Sequence, residues 1–255
     1  MNYIRYALHD EISYGWLDDE RVGAITGDLF GDYIRVGYIS TLDKVKLLPP
    51  TRPSKIIALS RNYQSRVEAL GIEPPDLPIF FFKPPSTLIG YGDPILLPPQ
   101  SKQVEHEAEL AVVIGRRARF VSVEDADKFI FGYTCANDIT ARDLHQNDTF
   151  INRSKSFDTF LALGPWITTT LDPADAIVSC RVNGQLRQMA STREMHFSVP
   201  QIVAYLTSIM TLEPGDVILT GTPAGAAPLK DGDKVEVDIE GIGSLRNPVM
   251  SPPIR

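Results

Sequence analysis

The stretch Glu105-His106-Glu107-Ala108-Glu109-Leu110-Ala111-Val112-Val113-Ile114-Gly115 decides the fold. Its second half is apolar, largely β-branched, and closes on glycine, which predicts a strand entering a core. Alternate residues of a strand share a face. Glu107 and Glu109 therefore point the same way, with Glu105 at the frayed start of the row. A lone Glu-x-Glu is more often a solvated edge face. Here residues 110–114 are wholly apolar, so the acids stand at the mouth of a core. Carboxylates this close repel one another, and burial sharpens the repulsion. Such a cluster calls for a cation.

Downstream, Gly132-Tyr133-Thr134-Cys135-Ala136-Asn137-Asp138-Ile139-Thr140-Ala141-Arg142-Asp143 offers a third acid. Asp138 follows a small-residue strand over residues 133–136 and precedes a polar stretch. Two glutamates and an aspartate form an all-oxygen, hard-ligand set, suited to magnesium, manganese or calcium and not to zinc. Magnesium keeps several waters, which leaves positions for a substrate's oxygens.

Composition narrows the function classes. The chain has 255 residues, 25 Lys+Arg and 32 Asp+Glu, for a net charge of −7. That length fits one large domain with a small appendage. No basic run or aromatic–basic interleaving points to nucleic acid, and the acidic balance argues against an anionic membrane surface. No segment approaches the roughly 18 consecutive apolar residues of a membrane span. The opening Met1-Asn2-Tyr3-Ile4-Arg5-Tyr6 lacks an apolar signal core, so a cytoplasmic protein is expected. Cys135 and Cys180 have no metal-site spacing and are expected as buried thiols rather than a disulfide.

Residues 1–52 read as a small β domain. Short strands over 3–9, 12–18 and 21–25 are broken by His9-Asp10, Asp18-Asp19-Glu20 and Thr26-Gly27-Asp28. Pro49-Pro50-Thr51-Arg52-Pro53 is a stiff boundary to a second domain, 53–255. That domain opens with a strand over 55–60 and a short helix from Gln64 that Gly71 ends. The breaker-rich segment 64–77 has the character of a lid or a plain surface connection. A strand follows over 79–84, and Ser122-Val123-Glu124-Asp125 reads as a capping box opening a helix to Phe129. Residues 142–155 read as a loop. Asn183-Gly184 predicts a hairpin turn after a strand over 177–182. Ser198 and Pro200 start a helix whose Ile202, Tyr205, Leu206 and Ile209 form one buried stripe.

The Glu-x-Glu strand of Glu107 and Glu109 and Asn137-Asp138 with Thr140-Ala141-Arg142-Asp143, together with Lys155-Ser156-Phe157-Asp158, Gly164-Pro165, Val182-Asn183-Gly184, Pro214-Gly215-Asp216 and Thr220-Gly221-Thr222-Pro223, resemble in order the fumarylacetoacetate hydrolase superfamily. The resemblance covers residues 53–255. It implies an α+β, β-rich fold: a mixed β-roll with flanking helices, usually a homodimer. It implies a divalent ion, Mg2+ with Mn2+ or Ca2+ as alternatives, held by Glu107, Glu109 and Asp138. It places Lys155 beside the metal and the substrate carbonyl, where its cation would stabilise enolate charge or relay a proton. A lone lysine is otherwise usually a solvated surface charge. The resemblance puts Thr222 on a substrate carboxylate through backbone and hydroxyl donors, and Tyr63 near the substrate. Arg142 would face the substrate's distal end; read alone, it is equally an ion-pair partner for Asp143. His145 stands where the family often has glutamine and adds a titratable group.

The lid departs from the pattern. Many hydrolytic and decarboxylating members read Asn-Tyr-x-x-His with a glutamate three residues on. This chain reads Asn62-Tyr63-Gln64-Ser65-Arg66-Val67-Glu68-Ala69. Arginine replaces the histidine and alanine the glutamate. Glu68 is one position off, about 100° round a helix. Arginine is no base near neutral pH but clamps a carboxylate well. The expectation is a metal enzyme acting on a small 2-oxo dicarboxylate through a stabilised enolate, by isomerisation or tautomerisation, or by decarboxylation. The alternatives are a C–C hydrolase of acylpyruvate or fumarylacetoacetate type, with His145 or Glu68 as base, and a non-catalytic metabolite-binding relative.

Overall fold

The computed structural model describes residues 1–9 and 11–252. Asp10 of the expected His9-Asp10 turn lies outside them, as do residues 253–255.

A twelve-stranded mixed sheet forms the spine. From one edge its order is Tyr33–Thr41, Arg21–Gly27, Glu11–Asp18, Asn2–Leu8, Leu161–Thr168, Ile130–Asp138, Ala108–Ile114, Val217–Leu219, Ile56–Ser60 and Ile79–Lys83. Lys46–Leu48 and Leu88–Ile89 pair beside this path. The N-terminal strands join the sheet through Asn2–Leu8 against Leu161–Thr168. A five-stranded sheet, Gln185–Ser191, Ile177–Val182, Lys234–Ile239, Gly243–Met250 and Ile95–Leu96, packs against the spine.

Strand alternation assigns the faces. Leu110, Val112 and Ile114 join the large core shared with Val178, Cys180 and Val235 of the second sheet and with Ile202 and Leu206 of the helix Val199–Ile209. Ala111, Ala136, Leu161, Leu163 and Phe81 face the other way into a smaller cluster. Glu109 has the parity of Ala111, Asp138 that of Ala136, and Lys83 that of Phe81. The sheet thus delivers two acids and a lysine to one face, where the small cluster gives way to a cleft.

Several local expectations change. The acidic strand begins at Ala108, and Glu107 lies in a break after the two-residue strand Val104–Glu105. Glu105 is buried rather than frayed. Residues 142–155 are not a plain loop: they hold the short helices Arg142–Asn147 and Asn152–Lys155. The turn after Ser122 is followed by a 3-10 helix, Ala126–Phe129. A fourth N-terminal strand, Tyr33–Thr41, was not expected; both its faces are largely exposed, so it has no alternating pattern to read. In the helix Val199–Ile209, Ile202 and Leu206 are buried but Ile209 is exposed. Its start is as expected, with the Ser198 N–H and hydroxyl donating to Gln201 Oε1 at 2.8 and 2.9 Å. Asn183 and Gly184 both take positive φ, 52° and 77°, as a two-residue hairpin turn requires. Cys135 and Cys180 are buried free thiols.

Candidate active site

The floor of the cleft is built by neighbouring strands. Glu107, Glu109 and Asp138 each offer an oxygen, and these atoms lie within 4.8 Å of one another. Because the strand is broken at Glu107, side chains and backbone hold it in place: its N–H donates to Asn137 Oδ1 at 2.9 Å, and its carbonyl accepts from the Asp138 N–H at 2.9 Å. Glu109 Oε2 accepts from the Gly221 N–H at 2.7 Å.

Lys155 ends the helix Asn152–Lys155 and is 2% exposed, not a surface charge. Its Nζ donates to Glu107 Oε2 and Asp138 Oδ2, both at 2.6 Å. Burial works against its charge, but Asp138, Glu107 and Glu109 outweigh that and raise its pKa. Two carboxylates hold the Lys155 Nζ at the floor of the cleft, where both roles expected of it, charge stabilisation and proton relay, need it. Lys83 is a second buried lysine, with Nζ 2.7 Å from Asp138 Oδ1 and donating to the Lys155 carbonyl. Its burial lowers its pKa, and Asp138 opposes the shift.

The three acids are not equally compensated. Burial raises the pKa of Glu107, but Lys155, Arg142 and Arg66 overcome it and bring the value to about 2. Glu109 is pushed well above the usual carboxylate range by burial and by Asp138 and Glu107, only partly relieved by Lys155 and the Gly221 N–H. A buried carboxylate without a lysine or arginine in direct contact is what a divalent cation would offset. The donor set is all oxygen, so the residues fit a hard ion.

Arg142 does not pair with Asp143. Its Nε donates to Glu105 Oε2 at 2.7 Å, Nη2 to Glu107 Oε1, and Nη1 to His145 Nδ1 at 3.1 Å. Asp143 instead accepts from Ser101 Oγ at 2.6 Å and the Lys102 N–H at 2.9 Å. Because a guanidinium only donates, His145 Nδ1 must accept, and the proton sits on Nε2. Burial, Arg142 and Lys155 lower the His145 pKa, which favours the neutral ring.

The cleft above this floor has a volume of about 410 Å³. Its lining includes Arg66, Arg142, His145, Lys155 and Thr222, so five residues singled out in the sequence meet Glu107 and Glu109 there. Tyr63 does not join them: it is fully buried at the start of the lid helix Gln64–Leu70 and does not line the cleft. The Thr222 hydroxyl is also committed, donating to the Ala108 carbonyl at 2.8 Å and accepting from Gln188 Nε2 at 2.8 Å. Its backbone N–H is the donor left for a ligand. Arg66 reaches in from the lid helix, with Nη2 3.8 Å from Glu107 Oε1. Glu68 does not line the cleft; it accepts from Gln64 Nε2 at 2.8 Å on the exposed side of that helix.

Sequence reading assigned no role to Lys83 or Arg61, and quoted Asn62 only as the first residue of the lid motif. The only signal for Lys83 is a lysine closing the apolar strand Ile79–Lys83. Asn62 ties the lid root down through Nδ2 to the Thr220 carbonyl, 2.8 Å, and Oδ1 from the Phe197 N–H, 2.8 Å. Arg61 lines the cleft with a left-handed φ of 61°, an uncommon conformation for a non-glycine residue.

Residues 55–250 match the family described as fumarylacetoacetate (FAA) hydrolase, C-terminal, and residues 1–50 match an Rv2993c-like N-terminal family. The chain belongs to the fumarylacetoacetate hydrolase family. The structure of a 2-hydroxyhepta-2,4-diene-1,7-dioate isomerase from Mycobacterium marinum superposes with a TM-score of 0.93 at 39% identity, covering 100% of both chains. A mitochondrial oxaloacetate tautomerase, FAHD2B of Bos taurus, is 39% identical over 216 residues, covering 80% of this chain and 69% of that protein. A maleylpyruvate hydrolase from Sphingobium sp. SYK-6, solved with manganese(II) and pyruvate, matches with a TM-score of 0.82 at 33% identity, covering 98% and 99%. The family therefore includes isomerase, tautomerase and hydrolase relatives of this chain, on a shared β-rich fold.

Proposed function

We propose that this protein is a divalent-metal enzyme that interconverts tautomers or double-bond isomers of a small 2-oxo dicarboxylate through an enolate. One observation carries the choice over hydrolysis: neither residue offered as a substitute base is placed to activate water. Glu68 points out of the cleft, and His145 turns an N–H rather than a lone pair to its surroundings, because Arg142 occupies Nδ1. The sequence departure at Arg66 and Ala69 points the same way.

Glu107, Glu109 and Asp138 would hold the ion, with Mg2+ first and Mn2+ next. When bound, it supplies Lewis-acid stabilisation of the enolate oxygen. Lys155 sets its Nζ beside the same oxygens: as the ammonium it stabilises enolate charge as it develops, and as the amine it takes the C3 proton that enolisation releases and returns it on ketonisation. The Thr222 N–H takes the 1-carboxylate. Arg66, on the lid helix, is placed for the distal carboxylate. His145 Nε2–H is a neutral donor to the substrate chain. Oxaloacetate, the substrate in the name of the bovine relative, is the smallest compound with all these groups.

The test is a substrate comparison with Mg2+ present. Accelerated enol–keto interconversion of oxaloacetate, or isomerisation of a hydroxymuconate-type diene, without carbon–carbon cleavage of acylpyruvates, is the expected result. Efficient acylpyruvate cleavage overturns the reading in favour of a hydrolase. Tight Mg2+ binding without turnover of any of these overturns it in favour of a binding protein.

A further inference from the structure

We infer that Gln188 is a positioning residue, setting the spacing between the metal-binding carboxylates and the Thr222 N–H. The inference rests on the functional reading above. Gln188 lies on the edge strand Gln185–Ser191 of the five-stranded sheet, not on the sheet that carries the acids. It is 2% exposed, between exposed Arg187 and exposed Met189. An inward position on such a strand ordinarily takes an apolar residue, as Ala190 does two places on.

Its amide is fully used. Oε1 accepts from the Ala108 N–H at 3.0 Å and from His106 Nδ1 at 2.9 Å. Nε2 donates to Thr222 Oγ1 at 2.8 Å and to the Pro223 carbonyl at 2.9 Å. The orientation is forced, because a flipped amide would set its NH2 against the Ala108 N–H and its oxygen against the Pro223 carbonyl. Thr222 Oγ1 in turn donates a hydrogen bond to the Ala108 carbonyl at 2.8 Å, which closes a ring. Both backbone polar groups of Ala108 are thereby tied, and Ala108 stands between Glu107 and Glu109. One side chain from the second sheet locks the acid segment against the loop that presents the Thr222 N–H. The Thr222 loop and the strand that carries Gln188 run very close here: a Cβ at Gly225 would lie 2.2 Å from the Arg187 carbonyl oxygen. A substrate chelated by the ion while its carboxylate sits on Thr222 needs that spacing fixed, since small displacements of bound groups cost rate and affinity steeply.

The test uses Gln188→Glu and Gln188→Leu in the full-length protein. Mg2+ binding and oxalate binding in saturating Mg2+ are measured by calorimetry, with Tm and the kinetic constants for oxaloacetate alongside. Oxalate serves as a planar mimic of the enolate of a 2-oxo acid. Gln188→Glu keeps the acceptor to His106 and Ala108 and loses the donors to Thr222 and Pro223, so it carries the test if Gln188→Leu fails to fold. The expected result is Mg2+ affinity within about threefold of wild type, with oxalate affinity at least tenfold weaker and KM raised more than kcat is lowered. Unchanged oxalate affinity and KM in Gln188→Glu overturn the inference alone. Parallel losses of Mg2+ affinity, oxalate affinity and Tm overturn it in favour of a general structural role. A wild-type protein that binds Mg2+ but not oxalate overturns the functional reading, and this inference with it.

Discussion

The floor and the lid of the cleft are built on opposite principles. The floor acids Glu107, Glu109 and Asp138 are at most 6% exposed, and Lys83 and Lys155 are each 2% exposed. Hydrogen bonds and ion pairs to neighbouring strands, a helix and the loop at Gly221 hold every one of them. The lid helix Gln64–Leu70 buries only Val67, and Arg66 meets the floor at no less than 3.8 Å. A rigid, densely charged floor suits the step that all 2-oxo acid enolisations share, because preorganised charge acts without rearrangement. A lightly anchored lid suits the choice of which molecule undergoes it. The floor should therefore control metal binding and turnover, and the lid should control substrate preference.

Glu109→Gln should break the floor most completely. It removes a proposed ligand and the buried carboxyl that has no lysine or arginine in direct contact. Divalent binding should be lost by calorimetry and activity with it, while the metal-free protein gains thermal stability, about 2–4 °C per kcal/mol of relieved burial cost. The Mg2+-dependent rise in Tm, worth about 2.7 kcal/mol at a hundredfold excess over Kd, should vanish. A variant destabilised in the absence of metal would show that Glu109 is already satisfied and would argue against a cation site.

Lys155→Met separates charge on the floor from metal binding. It should retain Mg2+ affinity and lose about 10²-fold or more in kcat. Near-normal kcat would return Lys155 to a purely structural ion pair with Glu107 and Asp138.

Arg66→Ala tests the lid. A charged hydrogen bond contributes about 1.5–3 kcal/mol, so KM for a dicarboxylate should rise roughly ten- to hundredfold while a monocarboxylate analogue is little affected. Equal effects on the two substrates would make Arg66 a general surface charge. The smallest effect belongs to Glu68→Ala. Kinetic constants within about twofold of wild type are expected, since Glu68 does not line the cleft; a large loss of kcat would reinstate it as a base.

The same contrast explains what the sequence disclosed. The acid triad was legible because strand alternation and an apolar continuation leave few alternatives for two glutamates, and Asp138 follows its own strand. The break at Glu107 was not, because it depends on a bond from Asn137, 30 positions away. Lys83 and Gln188 were hidden for a related reason. Each makes its decisive contacts with residues more than 30 positions distant, Lys83 with Asp138 and Lys155, Gln188 with Ala108 and Thr222. No local period marks such partners. Arg142 was misread in part because its sequence neighbour Asp143 was the visible partner, while Glu105 and Glu107 become neighbours only after folding. The lid was legible in outline, with Gly71 ending the helix at a left-handed φ of 64°, yet Tyr63 turned inward. A residue at a helix start has no periodic context to fix which way it faces.

The central claim is that the floor serves an enolate without an activated water. It is tested most directly by following oxaloacetate and an acylpyruvate side by side in D2O with the Mg2+-loaded protein, by proton NMR. The account predicts enzyme-accelerated deuterium exchange at C3 of oxaloacetate through its enol, with the acylpyruvate carbon–carbon bond left intact. Cleavage of the acylpyruvate at a rate matching or exceeding that exchange would contradict it.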